Sequence, residues 1–386
     1  KFSGGLRATL AEKLTIEYSG GYTNSLYGGM FNNNAIASPL GSTEDSTIQR
    51  TPNPDSTLRI SLLPDHRETV NRFTTGLTPR YTPYDFLATR FTAGIDYRKN
   101  EQRIFNPIES AGWTSTPGGG LFRFDRDYLQ ISLDAAATVS YPKEGDITST
   151  LTVGAQGFRE EDRQSQATGT NFPVPGTDDF DNAATVTALE SNQQLFSGGF
   201  YIQENVGLFN KIYLDLGIRI DQNSAFGKEV GAQSYPKAGI AYNISEESFW
   251  PLGEYWNSLK LRASFGATGK FPPAFTRDRT FGANRFLGVG LISFGGIGNK
   301  DLKPEKTTTV ELGLDAGFLE NRIGIEITWF TETTKDALFP VALEPTTGYA
   351  NQLKNIGEIE NRGIEVTLNA VPISTPEIDW SIRVSY

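Results

Sequence analysis

The sequence predicts an all-β protein, a transmembrane antiparallel β-barrel contributing about fourteen strands. Three observations carry that expectation. Apolar residues alternate with polar ones, tight connections alternate with long ones, and hydrophobic residues are too few for a water-soluble core of this size. The clearest alternation lies within 302–330. Val310, Leu312, Leu314, Ala316 and Phe318 are apolar, with Glu311, Gly313, Asp315 and Gly317 between them. After Leu319-Glu320-Asn321 the pattern resumes with Ile323, Ile325, Ile327 and Trp329 against Gly324, Glu326 and Thr328. A period of two sorts each set to one face, so this is a hairpin with one greasy and one wet side. Its arms have about the length that crosses a bilayer at a tilt.

The composition fits. Among 386 residues only 38% are hydrophobic, yet 12% are aromatic and 40 are glycine. Such a mix starves a conventional core while supplying amphipathic strands and turns. No apolar run approaches the length of a membrane-spanning helix, a test that strands escape because each shows only half its residues to lipid. The absence of cysteine removes disulfides, thiolate metal sites and cysteine nucleophiles. A net charge of -10 argues against a nucleic-acid partner. The chain opens inside one strand pattern at Phe2 and closes inside another at Tyr386, with no signal peptide at Lys1. Residues 1–386 therefore read as one barrel segment of a longer polypeptide.

Taken in order, the hairpin unit recurs. Leu6, Ala8 and Leu10 pair with Leu14, Ile16 and Tyr18. Phe73, Thr75 and Leu77 lead to a turn expected around Thr82-Pro83-Tyr84, then to Leu87, Phe91, Ala93, Ile95 and Tyr97. Leu129, Ile131, Leu133 and Val139 turn at Pro142-Lys143-Glu144-Gly145 into Ile147, Leu151 and Val153. Phe196, Phe200, Ile202 and Val206 turn at Phe209-Asn210-Lys211 into Ile212, Leu214, Leu216, Ile218 and Ile220. Ala238, Ile240 and Tyr242 join Leu259, Leu261 and Ala263 through an aromatic connection with Phe249, Trp250, Tyr255 and Trp256. The hairpin of 302–330 follows, then Ile364, Val366 and Leu368 with Ile378, Trp380, Ile382 and Val384.

Between these units lie polar, Gly/Pro-rich loops expected at 28–67, 106–121, 162–192, 223–234, 268–303 and 335–351. One-sided loops of this kind mark an outer-membrane barrel with short periplasmic turns and long extracellular loops. Tyr141, Tyr213, Trp250, Trp256, Phe318, Trp329, Phe330 and Trp380 are expected in interfacial girdles. Asp215, Arg219, Glu311, Asp315, Glu326, Glu365 and Arg383 are expected to line a watery lumen. Glu204 breaks the pattern by falling in phase with the apolar set, which requires a rim position or a bulge.

Catalytic signals are poor. His66, the sole histidine, sits between Asp65 and Arg67 without a serine elbow or metal partner, which reads as a solvated side chain. Asp178, Asp179 and Asp181 match no defined calcium loop and read as an acidic tip, so neither metal nor cofactor is expected. Gly118-Gly119-Gly120 reads as a flexible lead-in, not a phosphate cradle. The loop at 268–303 is the most suggestive. There Phe271, Phe275, Phe281 and Phe286 interleave with Arg277, Arg279 and Arg285. Aromatic platforms beside guanidinium donors suit capture of sugars or peptides, and Phe271, Phe275, Arg277, Arg279 and Arg285 are the candidate substrate contacts.

A family resemblance rests on specific runs. Gly298-Asn299-Lys300-Asp301-Leu302-Lys303-Pro304-Glu305-Lys306-Thr307, leading into Glu311-Leu312-Gly313-Leu314-Asp315, resembles the late-barrel signature of TonB-dependent outer-membrane receptors. Asn321-Arg322-Ile323, Asn355-Ile356-Gly357-Glu358 and Asn361-Arg362-Gly363-Ile364-Glu365 are similar to the SusC/RagA-type branch. These motif positions carry a structural role in the resemblance. It implies a barrel of about 22 strands with a plugged lumen. It also implies a Gram-negative outer membrane, energy from a TonB complex acting through a plug outside this chain, and a SusD-like lipoprotein lid. On that reading the protein imports bulky nutrients, oligosaccharides or peptides, and breaks no bonds. The rivals are a plugless porin of about fourteen strands and a surface adhesion barrel.

Overall fold

The computed structural model describes residues 1–28, 64–108, 118–142, 145–225, 230–250, 255–286 and 289–386. Fourteen strands form one antiparallel sheet whose order in space follows their order in sequence, with one separate hairpin intervening between the tenth and eleventh of them. They are β1 (Phe2–Ala11), β2 (Leu14–Gly28), β3 (Asp65–Tyr84), β4 (Leu87–Asn106), β5 (Gly120–Ser140), β6 (Ile147–Thr170) and β7 (Thr185–Leu208). There follow β8 (Ile212–Asn223), β9 (Gln233–Asn243), β10 (Trp256–Lys270), β13 (Glu305–Phe318), β14 (Ile323–Ala342), β15 (Asn351–Ser374) and β16 (Asp379–Ser385). Between β10 and β13 the chain makes a separate hairpin, β11 (Phe281–Phe286) and β12 (Val289–Phe294). The sheet is open: within it β1 pairs only with β2, and β16 only with β15.

A soluble folded monomer of 42.4 kDa would expose roughly 15,000 Å². This chain exposes 25093 Å². The excess has a simple origin, because a single sheet has no opposing layer. Among the described residues the buried hydrophobic side chains are Leu121, Phe172, Leu302, Ala316 and Ala337 alone. Elsewhere the large apolar residues lie open on one face. One row of directly paired residues reads Phe91, Ala135, Ala155, Phe200 and Ile220 across β4 to β8, and another reads Leu312, Trp329 and Ile364 across β13 to β15. Phe200 is 74% exposed and Ile364 59%.

That apolar face has a sharp upper edge. On β4 it runs from Leu87 through Phe91 and Ile95 to Tyr97, and the next outward residues are Lys99, Glu101 and Arg103. On β5 it spans Leu129 to Val139, with Asp127 and Asp125 beyond. On β6 it spans Ile147 to Gly157, with Arg159, Glu161 and Arg163 beyond. Each apolar stretch covers about the nine to eleven residues that a tilted strand needs to cross hydrocarbon. The strands continue past that edge, so β3 to β7 stand above it as a charged two-faced wall.

The turn placed at Thr82-Pro83-Tyr84 lies instead at Asp85-Phe86. Thr82-Pro83-Tyr84 belongs to β3, where the register with β4 shifts between Tyr81 and Tyr84. Most of 162–192 and the first half of 335–351 are strand, because polar residues suit a strand that is wet on both sides. Only 171–184 and 343–350 remain as connections. Tyr213 and Phe330 leave the aromatic girdle. Tyr213 pairs with Gly207 and Phe330 with Gly363, both on the polar face. Glu204 resolves as a position near the short-turn end. The ladders of β7 carry no register shift, and the Ser149 hydroxyl donates to Glu204 at 2.6 Å. Lys143 and Glu144 of the expected third turn lie outside the described residues.

The short turns are shaped by left-handed residues. Phe209 and Asn210 have φ of 54° and 57°, and Leu319, Glu320 and Asn321 have φ of 52°, 59° and 60°. Leucine resists that region because its Cβ crowds the following carbonyl. The conformation is held by neighbours: the Leu319 amide donates to the Tyr255 carbonyl at 3.0 Å, and the Asn321 amide donates to Asn257 Oδ1 at 3.3 Å.

Candidate functional site

Opposite the apolar face, the alternate residues build a polar surface in rows. One row of paired positions reads Thr92, Asp134, Gln156, Gly199 and Asp221 across β4 to β8. The next reads Gly154, Tyr201, Arg219 and Tyr235 across β6 to β9. Hydrogen bonds knit the two together. Arg90 donates to Asp134 at 2.9 Å, Gln156 Nε2 donates to Asp134 at 2.8 Å, and Arg219 donates to Gln156 at 2.6 Å and to Asp221 at 2.7 Å. Lys237 reaches Asp215 at 3.1 Å, and Arg262 reaches Asp315 at 2.7 Å. Asp215, Arg219 and Asp315 thus lie on the wet face with partners of opposite charge. Glu311 accepts from the Ser264 hydroxyl at 3.2 Å instead.

Large side chains on this face lie down. The Tyr201 ring crosses Gly154, the Tyr235 ring crosses Gly269, and the Arg262 guanidinium sits where a Cβ on Gly313 would be 2.8 Å away. A side chain at Gly154 or Gly269 would occupy the space of the ring itself, so glycine is required there. The wall is consequently smoother than its residue list suggests.

At the long-loop end the connections are fastened, not loose. Arg103, 23% exposed, donates to Asp65 at 3.0 Å and to Asp178 at 2.6 Å, which fixes the connection at 171–184 to β3 and β4. Arg123 lies over the Phe180 ring, and Phe172 meets Phe105 edge-on. Asp178 is therefore an ion-pair partner. Among the described residues no group of acids or histidines has the spacing of a metal site. His66 faces Gln102, with 3.1 Å between His66 Nε2 and Gln102 Nε2. Gly118 and Gly119, at φ of 85° and 78°, accept backbone bonds from Phe172 and Asn171, so this glycine run is tied rather than a free lead-in.

The motif positions gather around one defect. β14 is irregular between Thr334 and Leu338, where Asp336 has φ of 56°. The displaced Leu338 amide donates to Glu305 Oε1 at 2.8 Å, and the Asp336 carbonyl accepts from Asn355 Nδ2 at 2.7 Å. Asn355 also exchanges two bonds with the backbone of Lys303 at 2.9 Å each, while Asn299 Nδ2 donates to the Leu353 carbonyl at 3.0 Å. Asp301's amide donates to Asn299 Oδ1 at 3.1 Å, and Leu302 and Pro304 are buried beneath. Gly357 lies under the Phe339 ring and Gly363 under Phe330. Glu358 makes only a long exposed contact of 3.9 Å with Lys335. Asn361 and Glu365 follow on β15, Glu365 opposite Thr328 on the polar face.

The candidate capture residues are dispersed. Phe275 is 56% exposed at φ of 63°, Arg279 is exposed, and Phe271 and Arg277 are half-buried. Arg285 lies on β11 opposite Gly290, and its side chain lies outside the described residues. Phe281 meets Phe294 across the hairpin, and Phe294 in turn meets Tyr349 at 5.3 Å. At the opposite end, Trp250 meets Trp256 edge-on, Trp256 stacks on Phe318, and the Trp250 indole donates to the Trp256 carbonyl at 3.0 Å. Beside them Lys211 reaches Glu247 at 2.9 Å, which holds the Glu247 carboxyl below its ordinary range, with the Tyr242 hydroxyl reinforcing it.

An outward apolar band, an inward polar wall and fastened loops at one end define a transmembrane receptor barrel. The chain belongs to the TonB-dependent receptor-like β-barrel family, whose model matches residues 7–386. It is similar to the TonB-dependent receptor SusC of Bacteroides thetaiotaomicron, 31% identical over 210 residues, covering 51% of this chain and 20% of that one. It is likewise similar to TonB-dependent receptor P26 of Formosa agariphila, 28% identical over 312 residues, covering 78% and 31%. Among solved structures, the RagAB peptide transporter superposes with a TM-score of 0.81 at 18% identity, covering 99% of this chain and 45% of that one. The siderophore receptor PirA from Acinetobacter baumannii gives 0.60 at 17% identity, covering 100% and 52%. These likenesses establish a shared barrel fold. The chain spans about a third or less of the length of these sequence relatives.

Proposed function

We propose that residues 1–386 are the barrel segment of an outer-membrane importer of bulky nutrients, oligosaccharide or peptide, energised through TonB. The observation that carries this reading is the pairing of two faces. The outward one is apolar over a bilayer's depth, and the inward one is polar, with Lys237 paired to Asp215 and Arg262 to Asp315 across strands and Arg219 to Asp221 along β8. Such a wall suits a wide aqueous interior held in lipid. Capture falls to the long-loop end, where 268–303 and 343–350 meet. A plug and further strands outside this chain complete a barrel of about 22 strands. Plug remodelling by TonB then admits the cargo, and a SusD-like lipoprotein covers the mouth.

The test is uptake in the native bacterium. Deleting the gene is expected to remove growth on one oligosaccharide or peptide source, and deleting tonB is expected to copy that defect. Growth that persists without TonB points to a passive pore. Unchanged growth with lost surface attachment points to an adhesion barrel.

A further inference from the structure

We propose that the upper edge of β7, from Thr185 to Gln194, is a docking site for an extended peptide, which adds to the sheet there as one more strand. This rests on the importer reading above and selects peptide over oligosaccharide as the cargo.

β7 is 24 residues long, but β8 pairs only with its lower half, from Ser197 to Leu208. Ser224 ends that ladder: its amide donates to the Phe196 carbonyl at 2.8 Å, and its hydroxyl accepts from the Phe196 amide at 3.0 Å. Both backbone groups of Phe196 therefore point away from β6. The ladder between β6 and β7 carries no register shift, so the period of two repeats that orientation at Gln194, Asn192, Glu190, Ala188 and Val186. Among the described residues no strand pairs with this edge, and Thr185 to Asn192 are exposed throughout. The neighbouring strands leave room for one. β8 stops at Asn223, β9 begins at Gln233 and β10 stops at Lys270, so the rim is low beside β7, just above the apolar band.

An open edge is a hazard that sheets ordinarily blunt with lysine, proline or a bulge. Residues 185–195 have none of these, and Glu190 is their single charge. The far flank of the low rim is treated differently, since the Leu338 amide of β14 is capped by Glu305 at 2.8 Å. A bare edge of this length suits strand addition. Its geometry selects the ligand class. Amide and carbonyl recur together about every 6.8 Å over roughly 27 Å of edge. An extended peptide presents the complementary groups at the same repeat, and a glucan has none. Recognition through the backbone tolerates many sequences. Leu189, 66% exposed on the lumen side, and Val186, 45% exposed on the outer side, add apolar contact for the peptide's alternate side chains.

The full-length receptor in detergent tests this with a fluorescein-labelled, end-capped decapeptide of alternating serine and valine. The peptide is expected to bind and to slow hydrogen exchange in 185–195, and maltoheptaose, a neutral glucan, is expected to do neither. Combining Ala188→Pro with Asn192→Pro removes two edge donors and leaves the bonds to β6 intact, because those two amides face away from that ladder. Peptide affinity is expected to fall about thirtyfold, the loss of two hydrogen bonds. Ala188→Ser with Asn192→Ser is expected to leave it unchanged. Heat-dependent gel mobility reports whether each variant is folded, and if the proline pair is not, the exchange map of the unaltered receptor decides alone. Four results overturn the proposal: no binding by the unaltered receptor, equal binding by the folded proline variant, protection confined to other segments, or an edge already slow to exchange without peptide because a lid, another segment or a second copy holds it. TonB-dependent growth decides the importer reading separately, so growth that persists on a sugar beside a failed peptide assay sinks this inference alone.

Discussion

Asn355 closes a two-way bridge with Lys303 across 52 positions of chain: its Oδ1 accepts from the Lys303 amide and its Nδ2 donates to the Lys303 carbonyl, each at 2.9 Å. The same Nδ2 serves the carbonyl of Asp336, where β14 breaks step. One carboxamide thus joins the end of the longest described loop to two strands. Asn355→Ala leaves these backbone groups without partners, at a cost of about 1–3 kcal/mol. We expect limited proteolysis to cut within 271–304 several times faster, while the membrane-embedded strands stay resistant. An unchanged cleavage rate would sink the bridge as the loop's anchor.

Arg103 does the same for the connection at 171–184 by holding Asp65 and Asp178 together. Arg103→Ala should cost about 1 kcal/mol, since the partners are partly solvated. Hydrogen exchange should rise in 171–184 and at the start of β3, and nowhere on the short-turn side. Elevated salt should imitate the variant in the same peptides.

The two faces of β7 provide a test of what each faces. Phe200→Arg puts a charge in the apolar band and should destabilise by about 2–4 kcal/mol. Gln203→Arg, three residues away on the polar face, should be close to neutral. Urea unfolding in lipid vesicles measures both. Equal sensitivity of the two positions would contradict the assignment of lipid and lumen sides.

Glu247 gives the pH dependence at the short-turn end. Its carboxyl is held below the ordinary value of 4.5 by Lys211 first and the Tyr242 hydroxyl second. A depressed folded value means the contact stabilises above that ordinary value and is lost as pH falls through the folded one. The tether between 209–211 and 244–250 should therefore be intact at neutral pH and release only below 4.5. Carbon NMR of labelled glutamate follows the titration directly, and Glu247→Gln should abolish the acid step.

Much of this fold was legible because a period of two survives any rearrangement of neighbours. Val310 to Trp329 declares its faces without knowledge of what lies beside it, and the turn at Leu319-Glu320-Asn321 fell where the alternation paused. Strand length was not legible above the lipid. From Phe158 to Thr170 both faces of β6 meet water, so nothing alternates and the residues resemble a loop. Aromaticity alone points Tyr213 and Phe330 to the girdle, whereas the phase of their strands puts both on the polar face, where Phe330 lies over Gly363. The hairpin of β11 and β12 is too short for its pattern to rise above the surrounding loop. Asn299 and Asn355 stand out in sequence, but their tasks need the fold: Asn355 bonds the Asp336 carbonyl where β14 breaks step, and Asn299 ties the loop end to Leu353.

The height of the wall formed by β5, β6 and β7 has an electrostatic consequence. From Phe158 to Thr170 a tilted strand rises roughly 30 Å. Fields from the surrounding head groups decay over about 8 Å in physiological salt. A solute approaching the rim therefore meets bulk electrolyte, and the membrane's own negative potential sorts nothing on its behalf. Whatever selectivity for charge the entrance possesses has to be written in its own side chains.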